Sequence, residues 1–419
     1  MKFTPALFAH AEAALAALLR FDYPADAVLS HYFREHRQLG HADRGFVAET
    51  CFAVLRRLRS LTARCDGDAS PRRLLLAALF CLRGWNLKEL APVTRDTDAA
   101  WLAAAKAAKT EDWPAAVRCD LPDWLHERLV AQFGADTEAL AMALNRPAPL
   151  DLRVNPLKTT REAVLARLAA DGIAAEACAY SPLGIRLADK PALARHPLFV
   201  AGDIEVQDEG SQLLGFLVAP KRGEMVADFC AGAGGKTLLL GALMRSTGRL
   251  YAFDVAEKRL ANLKPRLARS GLSNVHPVRI ESENDQKVKR LAGKLDRVLV
   301  DAPCSGLGTL RRNPDLKWRQ SPESVAELSA KQGAILAAAA RLVKPGGRLV
   351  YATCSLLAEE NDGVVQAFLA AHPDFAPLAA GDILARQDIA PAGDGGDALR
   401  LLPNTHGSDG FFALAMGRR

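Results

Sequence analysis

The sequence predicts an α/β protein in which a mostly parallel sheet, covered by helices on both faces, occupies residues 221–419. Strand-like and helix-like segments alternate throughout this part, which is typical of a sheet with helices on both faces. A glycine-rich loop follows the first strand and opens a helix, and two later strands each end close to a cysteine. Because ligands bind at the carboxyl ends of parallel strands, these features predict a pocket at that edge.

Five strands carry the alternation, and a last strand lies close to the C-terminus. The strand-like runs are EMVADF (224–229), RLYAFD (249–254), NVHPVRI (274–280), LDRVLVD (295–301), GRLVYATC (347–354) and SDGFFALAMGRR (408–419). The helix-like runs between them are KTLLLGALMR (236–245), AEKRLANLKPRLARSG (256–271) and SPESVAELSAKQGAILAAAARLVKPGG (321–347). A turn is expected at Gly346 and Gly347, directly before the fifth strand.

Two smaller domains are predicted before the sheet. Residues 1–118 have helical spacing throughout, and residues 119–220 read as a small α+β domain, with a linker at the proline-containing stretch 106–122. The elements of the small domain are the strands LDLRV (150–154), GIRLA (184–188) and IEVQ (204–207) and the helix REAVLARLAADG (161–172). In the helical domain, arginines lie beside leucines at VLRRLRSL (54–61), and both a solvated helix face and an RNA-binding face explain them.

Composition indicates a protein of a reducing compartment. The eight cysteines have no C-x-x-C spacing, which argues against a zinc site and a disulfide framework. No apolar run reaches membrane-spanning length, and the N-terminus lacks a signal-peptide cleavage site, so a cytoplasmic protein without membrane contact is expected. The net charge of +6 permits a nucleic-acid partner without requiring one.

The glycine-rich loop DFCAGAGGKT (228–237) suits one cofactor of the three that bind such loops. A P-loop needs glycine where Cys230 stands, and a dinucleotide fingerprint starting at Gly232 needs glycine where Thr237 stands. The looser loop of class I methyltransferases, which binds S-adenosylmethionine, remains. Asp254 ends the second strand, where a carboxylate can accept both hydroxyls of a ribose. That acid also suits a nicotinamide cofactor, or a simple cap for the next helix.

Two cysteines are expected in the same pocket. Cys304 follows the fourth strand and Cys354 ends the fifth. Buried, inert thiols are the usual reading of a cysteine, but polar residues surround both of these. Carbon 5 of a pyrimidine is a poor nucleophile until a thiolate adds to carbon 6, so a reactive cysteine has a function in methylating it. Asp301 is placed to assist that addition near N3.

Several motifs resemble those of the RNA cytosine-5 methyltransferases of the RsmB/Nop/Sun family. They are PDWLHERLVAQFG (122–134), PLDLRVNPLKTT (149–160), VQDEGSQL (206–213), DAPCSGLGTLRRNPDLKW (301–318), YATCS (351–355) and DGFF (409–412), so the resemblance runs from about residue 121 to the end. It implies a class I, Rossmann-like methyltransferase fold with an antiparallel last strand. It also implies that Cys354 is the nucleophile and that Cys304 assists product release.

The same resemblance implies the cofactor site. The loop residues that would hold the methionine and ribose parts of S-adenosylmethionine are Cys230, Ala231, Gly232, Ala233, Gly234, Gly235 and Lys236. Asp254 would hold the ribose, and Asp301 would lie between cofactor and base. The family's C-A-A-P-G-G-K reads C-A-G-A-G-G-K here, which predicts a more flexible loop. Near the adenine, Glu283 is the expected acid, with Glu281 and Asp285 as alternatives.

RNA contacts are expected beside the fourth strand. Arg311, Arg312, Lys317 and Arg319 surround Trp318, and basic side chains with an aromatic suit phosphates and an unpaired base, although a solvated loop is the alternative. The N-terminal stretch LGHADRGFVAETCFAVLRR (39–57) resembles a NusB-like RNA-binding module. The middle domain resembles the family's small RNA-recognition-like domain.

These expectations together predict an RNA cytosine-5 methyltransferase, acting as a monomer without a metal. The expected substrate is 16S ribosomal RNA, with transfer RNA as the alternative. A noncatalytic RNA-binding or ribosome assembly factor would not need to keep the cofactor loop and Cys354. A methyltransferase for proteins or small molecules would not need two cysteines.

Overall fold

The computed structural model describes residues 3–390 and 396–419, and this part of the chain forms two compact units. The helical unit holds the described residues up to Pro147 together with Thr309–Pro322. The sheet unit holds Ala148–Gly308 and Glu323–Arg419. The sequence predicts a finer division into three domains, 1–118, 119–220 and 221–419, which stays a prediction. Within the helical unit, the buried carboxylate of Asp120 accepts hydrogen bonds from helical residues about 60 positions earlier.

Helices are the most frequent secondary structure of the described chain. In chain order they are α1 (Pro5–Leu18), α2 (Ala25–Glu35), α3 (His41–Arg56), α4 (Leu58–Arg64), α5 (Pro71–Ala77), α6 (Leu87–Leu90), α7 (Asp98–Ala107), α8 (Ala115–Arg118), α9 (Asp123–Phe133), α10 (Thr137–Leu144), α11 (Arg161–Ala170), α12 (Pro197–Ala201), α13 (Glu209–Val218), α14 (Gly235–Leu243), α15 (Glu257–Ser270), α16 (Gln286–Lys289), α17 (Leu316–Arg319), α18 (Pro322–Ala340), α19 (Asp362–Ala371), α20 (Ala380–Ala385) and α21 (Pro403–His406). None within the described residues is long and apolar enough to cross a membrane.

Apolar residues at helical spacing build the core of the helical unit. Leu15 of α1 and Val47, Cys51 and Val54 of α3 have no exposed surface, and α1 and α3 pack closely against each other. Spacings of three and four residues put such side chains on one helix face. The predicted all-helical architecture of this part is confirmed.

A small antiparallel sheet opens the sheet unit. Its strands, in the spatial order β2-β3-β1-β4, are β1 (Leu150–Val154), β2 (Ala175–Ala177), β3 (Gly184–Leu187) and β4 (Ile204–Val206). Helix α11 covers it, and the buried side chains of Leu152, Val154, Ile185 and Leu168 form its core. The predicted small α+β part is therefore present.

The large sheet has the predicted arrangement. Its strands are β5 (Met225–Asp228), β6 (Arg249–Asp254), β7 (Val275–Arg279), β8 (Leu295–Asp301), β9 (Val343–Thr353), β10 (Phe375–Leu378), β11 (Leu399–Leu401) and β12 (Phe411–Arg418). The spatial order is β10-β12-β9-β8-β5-β6-β7, with β11 paired to β12. Strands β5 to β9 pair in parallel and β12 is antiparallel to β9, so the predicted fold class is confirmed.

Strands β8 and β9 are direct neighbours in this sheet. Val300 pairs with Tyr351, and Asp301 pairs with Ala352. Because parallel strands end at the same edge, the segments that follow them lie side by side. The expectation that the two cysteine-bearing segments meet is confirmed.

The predicted turn before the fifth strand differs from the structure. Gly346 and Gly347 lie inside β9, which starts at Val343, and the pairing with β8 shifts register between Leu295 and Arg297. Gly346 has φ +75°, and a Cβ on Gly347 would lie 2.7 Å from Val343 Cγ1. The glycines therefore allow a bulge within a continuous strand instead of ending it.

The segment Thr309–Pro322 belongs to the helical unit, and Lys317 anchors it there. The Lys317 side chain has no exposed surface, and its Nζ donates to the backbone oxygen of Arg56 and to Asn145 Oδ1, each at 2.8 Å. Trp318 Nε1 donates to the backbone oxygen of Leu55 at 2.8 Å. Burial lowers the pKa of Lys317 from 10.5 to about 7.

We expect the helical unit to become more stable as the pH rises above 7, through Lys317. The unfolded chain keeps this lysine protonated up to its ordinary pKa, whereas the folded chain releases the proton near pH 7. Between these values the unfolded state binds more protons, so raising the pH favours folding. Relative to Lys317→Met, the free energy of unfolding of the natural chain should rise by roughly 2 kcal/mol between pH 7 and pH 9. Urea unfolding at both pH values measures it, and parallel curves for the two proteins would contradict it.

Candidate active site

A cavity of about 900 Å³ opens at the carboxyl ends of the parallel strands β5, β6 and β8. The predicted site residues that line it are Cys230, Ala231, Gly232, Ala233, Gly235, Lys236, Asp254, Glu283, Asp301, Cys304 and Cys354. Gly234 does not line it. That glycine has φ +83°, and a Cβ there would lie 2.1 Å from Leu263 Cδ1, so it is needed for close packing at the start of α14. Among the described residues, no cluster of His, Cys, Asp or Glu could hold a metal ion.

Backbone hydrogen bonds hold the glycine-rich loop against the two central strands. The Ala231 amide donates to the backbone oxygen of Phe253, and the Gly232 amide donates to Asp254 Oδ2, each at 2.8 Å. Gly232 has φ +55°, a conformation that glycine adopts without strain. The loop thus turns sharply and presents its backbone to the cavity.

The Asp254 carboxylate accepts hydrogen bonds from two segments of the chain. Its Oδ2 accepts from Gly232, and its Oδ1 accepts from the Ala256 amide at 2.7 Å, directly before α15. Each carboxylate oxygen has two lone pairs, so both oxygens retain capacity to accept a further hydrogen bond. Its position beside the cavity suits ribose binding. The bond to Ala256 holds the residue before α15, a helix that has no side-chain cap.

Two arginines, one on the small sheet and one on α15, donate hydrogen bonds to the glycine-rich loop. Arg153 Nη1 on β1 donates to the backbone oxygen of Gly235 at 2.6 Å, and Arg266 Nη1 on α15 donates to that of Ala233 at 2.7 Å. Glu205 on β4 accepts from Arg266 at 2.9 Å. The sequence analysis missed these residues, although Arg153 lies within PLDLRVNPLKTT and Glu205 directly precedes VQDEGSQL.

A half-buried ion pair lines the cavity. Lys236 Nζ lies 2.7 Å from Asp301 Oδ2. Burial alone would lower the pKa of Lys236, but the charge of Asp301 and its hydrogen bond more than offset this, and the pKa is raised. Lys236 therefore remains an ammonium group and a hydrogen-bond donor beside Asp301.

The two predicted cysteines face each other. Cys304 Sγ lies 3.3 Å from Cys354 Sγ, and both side chains are half-buried at the cavity wall. The hydrogen bond with Cys354, together with burial, raises the pKa of Cys304 well above its ordinary value. Cys304 therefore keeps its proton and can donate a hydrogen bond to the sulfur of Cys354.

Other thiols are held in unreactive surroundings. Burial raises the pKa of Cys51 to about 12 and that of Cys65 to about 11. Burial also raises the pKa of Cys230, which lines the cavity next to Asp228. Asp228, missed by the sequence analysis, has its pKa raised to about 7 by burial, and it accepts from Thr237 Oγ1 at 2.7 Å.

Of the three acids proposed to lie near the adenine, two line the cavity and one does not. Glu283 and Glu281 line the cavity. Asp285 does not, because its two carboxylate oxygens accept from the amides of Lys287 and Glu281, at 2.8 and 3.0 Å. Asp285 is therefore the cap of α16, and Glu283 and Glu281 remain as candidates.

The expected RNA contacts of Arg311, Arg312 and Lys317 need a correction. Lys317 does not offer its charge to a phosphate, because its ammonium group is fully buried and hydrogen-bonded within the helical unit. Arg311 is only 8% exposed, and its backbone oxygen accepts from Arg56 at 2.9 Å. Arg312 is half-buried and its contact with RNA stays a prediction. None of the three lines the cavity.

Two models of protein families match this chain. A family model described as 16S rRNA methyltransferase RsmB/F matches residues 215–416, and a model of the RsmF/B-like ferredoxin-like domain matches residues 121–193. The chain is 34% identical over 430 residues to a probable ribosomal RNA small subunit methyltransferase B of Synechocystis sp., covering 94% of this chain and 95% of that one.

Two further similarities cover different lengths. The ribosomal RNA small subunit methyltransferase B of Sodalis glossinidius is 39% identical over 295 residues, which is 70% of this chain and 65% of that relative. The crystal structure of PH0851 matches with a TM-score of 0.79 and 26% sequence identity, covering 99% of both chains.

Proposed function

Because the chain belongs to the family of RsmB/F 16S rRNA methyltransferases, we propose that it methylates carbon 5 of a cytosine in small-subunit ribosomal RNA. The observation that carries the proposal is the distance of 3.3 Å between the sulfurs of Cys304 and Cys354 at the cavity wall. Methylation of carbon 5 needs a thiolate nucleophile and a second group that helps to release the product. Two facing thiols meet both needs.

The residues of the cavity fit S-adenosylmethionine as the methyl donor. The volume of about 900 Å³ suits a nucleoside with an amino-acid tail. The loop of residues 230–236 can hold the methionine part, Asp254 the ribose, and Glu283 the adenine. When bound, this cofactor supplies a methyl group that is electrophilic because it is attached to a sulfonium.

The chemistry of the chain's own residues begins at Cys354. Its thiolate adds to C6 of the cytosine, so that C5 becomes electron-rich and takes the methyl group. Lys236, kept protonated beside Asp301, is a donor for the ring as charge develops on it. A base then takes the C5 proton, the electrons of the C5–H bond re-form the C5=C6 double bond, and the C6–S bond breaks with its electrons returning to the Cys354 sulfur. The thiol of Cys304 stabilises that departing sulfur by a hydrogen bond.

Two rival functions are disfavoured by the same residues. A noncatalytic assembly factor has no need of two thiols facing a cavity with a glycine loop. A methyltransferase for proteins or small molecules needs the loop but not the second thiol. Transfer RNA remains the alternative substrate, and the names of the relatives favour ribosomal RNA.

Nucleoside analysis after methyl transfer tests the proposal. Purified protein is incubated with methyl-labelled S-adenosylmethionine and either 16S ribosomal RNA or transfer RNA from cells lacking the gene. We expect labelled 5-methylcytidine in digests of the ribosomal RNA, detected by mass spectrometry. Label in transfer RNA alone would favour the alternative substrate, and label in another methylated nucleoside would overturn the assignment of carbon 5.

Asp254→Ala is expected to weaken the binding of S-adenosylmethionine. Two ribose hydroxyls would lose a charged acceptor, which costs on the order of 1.5–3 kcal/mol of binding free energy. Calorimetry measures it, with Glu257→Ala as the control, because Glu257 is a nearby exposed acid that does not line the cavity. Equal affinities of the two variants, both folded, would contradict ribose binding by Asp254.

A further inference from the structure

A single buried carboxylate joins the two segments that carry the cysteines. Glu360 has no exposed surface. Its Oε1 accepts from the Ser305 amide at 2.8 Å, and its Oε2 accepts from the hydroxyls of Ser305, at 2.5 Å, and Ser355. Ser305 directly follows Cys304, and Ser355 directly follows Cys354. The two hydroxyls also lie 3.2 Å from each other.

We propose that Glu360 is a positioning residue for the reaction, holding the Cys304 and Cys354 segments together so that their thiols act as a pair. The proposal rests on the proposed function for its consequence in catalysis. The hydrogen bonds of Glu360 to Ser305 and Ser355 form what we call the clamp. The clamp is independent of that function, because it concerns only the separation of the two thiols. Glu360 touches neither sulfur, so its effect on the reaction would pass through the two serines.

Further bonds make this arrangement rigid. Gln332 Nε2 on α18 donates to Glu360 Oε1 at 2.9 Å and to the backbone oxygen of Pro303, directly before Cys304, at 3.0 Å. The hydroxyl of Tyr351 on β9 donates to the backbone oxygen of Glu360 at 2.6 Å. The carboxylate thus accepts four hydrogen bonds, from Ser305 twice, Ser355 and Gln332. A buried charge with this many donors is well compensated.

A second set of bonds joins the same segments through the backbone. The Gly308 amide donates to the backbone oxygen of Cys354 at 2.8 Å. A Cβ on Gly308 would lie 2.2 Å from the backbone oxygen of Gly410, so the residue directly before β12 packs closely against this junction. The hydrogen bond between Gly308 and Cys354 holds the two segments together. Glu360 holds the backbone next to each cysteine, through Ser305 and Ser355.

The separation of the thiols can be measured without methylation. Diamide oxidises two neighbouring thiols to a disulfide while it is itself reduced to the hydrazine. We expect rapid formation of a Cys304–Cys354 disulfide in the natural chain, mapped by proteolysis and mass spectrometry. In Glu360→Ala the rate should fall at least tenfold, and in Glu360→Gln, which keeps the shape and one acceptor, it should fall less.

Catalysis gives the second measurement. A displacement of about 1 Å costs on the order of 100-fold in rate, so kcat of Glu360→Ala should fall by about that factor while KM for S-adenosylmethionine changes little. Glu359→Ala is the matched control, because Glu359 is the exposed neighbour in the sequence. Its disulfide rate and kcat should equal those of the natural chain.

The outcomes separate the two proposals. If the natural chain does not methylate RNA, the proposed function fails, and the disulfide rates still decide whether Glu360 sets the thiol separation. Equal disulfide rates in Glu360→Ala, Glu359→Ala and the natural chain would overturn the clamp. If Glu360→Ala does not fold, the double variant Ser305→Ala/Ser355→Ala decides instead. It keeps the carboxylate with its Gln332 partner, and an unchanged disulfide rate in it would equally overturn the clamp.

Discussion

Cys354→Ala is expected to abolish methyl transfer to RNA and to form no covalent complex with it. Without the thiolate, C6 of the cytosine has no nucleophile, and C5 does not become reactive enough to take the methyl group. Removing the nucleophile of a covalent mechanism lowers the rate by several orders of magnitude.

Labelled methyl transfer and a denaturing gel of protein with RNA measure this outcome. Cofactor affinity should remain, because the loop of residues 230–236 and Asp254 are untouched. Cys81→Ala is the matched control: it removes a half-buried thiol of the helical unit that does not line the cavity. Substantial methylation by folded Cys354→Ala would exclude Cys354 as the nucleophile.

The sheet and its cavity could be predicted from the sequence because their signals are local. Alternating strand and helix patterns predict a parallel sheet, and ligand chemistry gathers where such strands end. The loop of residues 230–236 and the acid Asp254 follow their strands directly, so their place was set by the strand assignment. The meeting of Cys304 and Cys354 depends on one further fact, the adjacency of β8 and β9, which local patterns do not give.

Long-range partners account for the predictions that went wrong. Lys317 looks like an exposed cation in a basic stretch, but its acceptors are 261 and 172 residues earlier in the chain. Nothing local indicates that its ammonium group is buried.

Glu360 shows the same limit at the site itself. In YATCSLLAEEN it stands next to Glu359, and two adjacent glutamates give no sign that one is exposed and the other fully buried. The donors of Glu360 include Ser305, which is 55 residues away, and Gln332, which is 28 residues away. Short edge strands such as β10 and β11 were missed for another reason, since strands of three or four residues carry too little pattern.

Cys304→Ala is expected to leave the addition to C6 and the methyl transfer intact and to block the release of the methylated RNA. Cys354 can still add to C6, and C5 can still take the methyl group, because neither step uses the Cys304 thiol. The departing sulfur of Cys354, however, loses the hydrogen bond that the Cys304 thiol offers at 3.3 Å. We therefore expect the protein to accumulate covalently bound to methylated RNA, as a slow band on a denaturing gel.

The double variant Cys304→Ala/Cys354→Ala identifies the sulfur that forms this bond. If Cys354 is the nucleophile, adding its substitution erases the slow band, and mass spectrometry of the trapped peptide places the nucleotide on Cys354. The opposite pattern, a band in Cys354→Ala and none in Cys304→Ala, would make Cys304 the nucleophile and Cys354 the group that assists release. The distance between the sulfurs permits either order. The pKa of the Cys304 thiol is raised by its hydrogen bond with Cys354 and by burial, which makes Cys304 a poor attacking group at neutral pH.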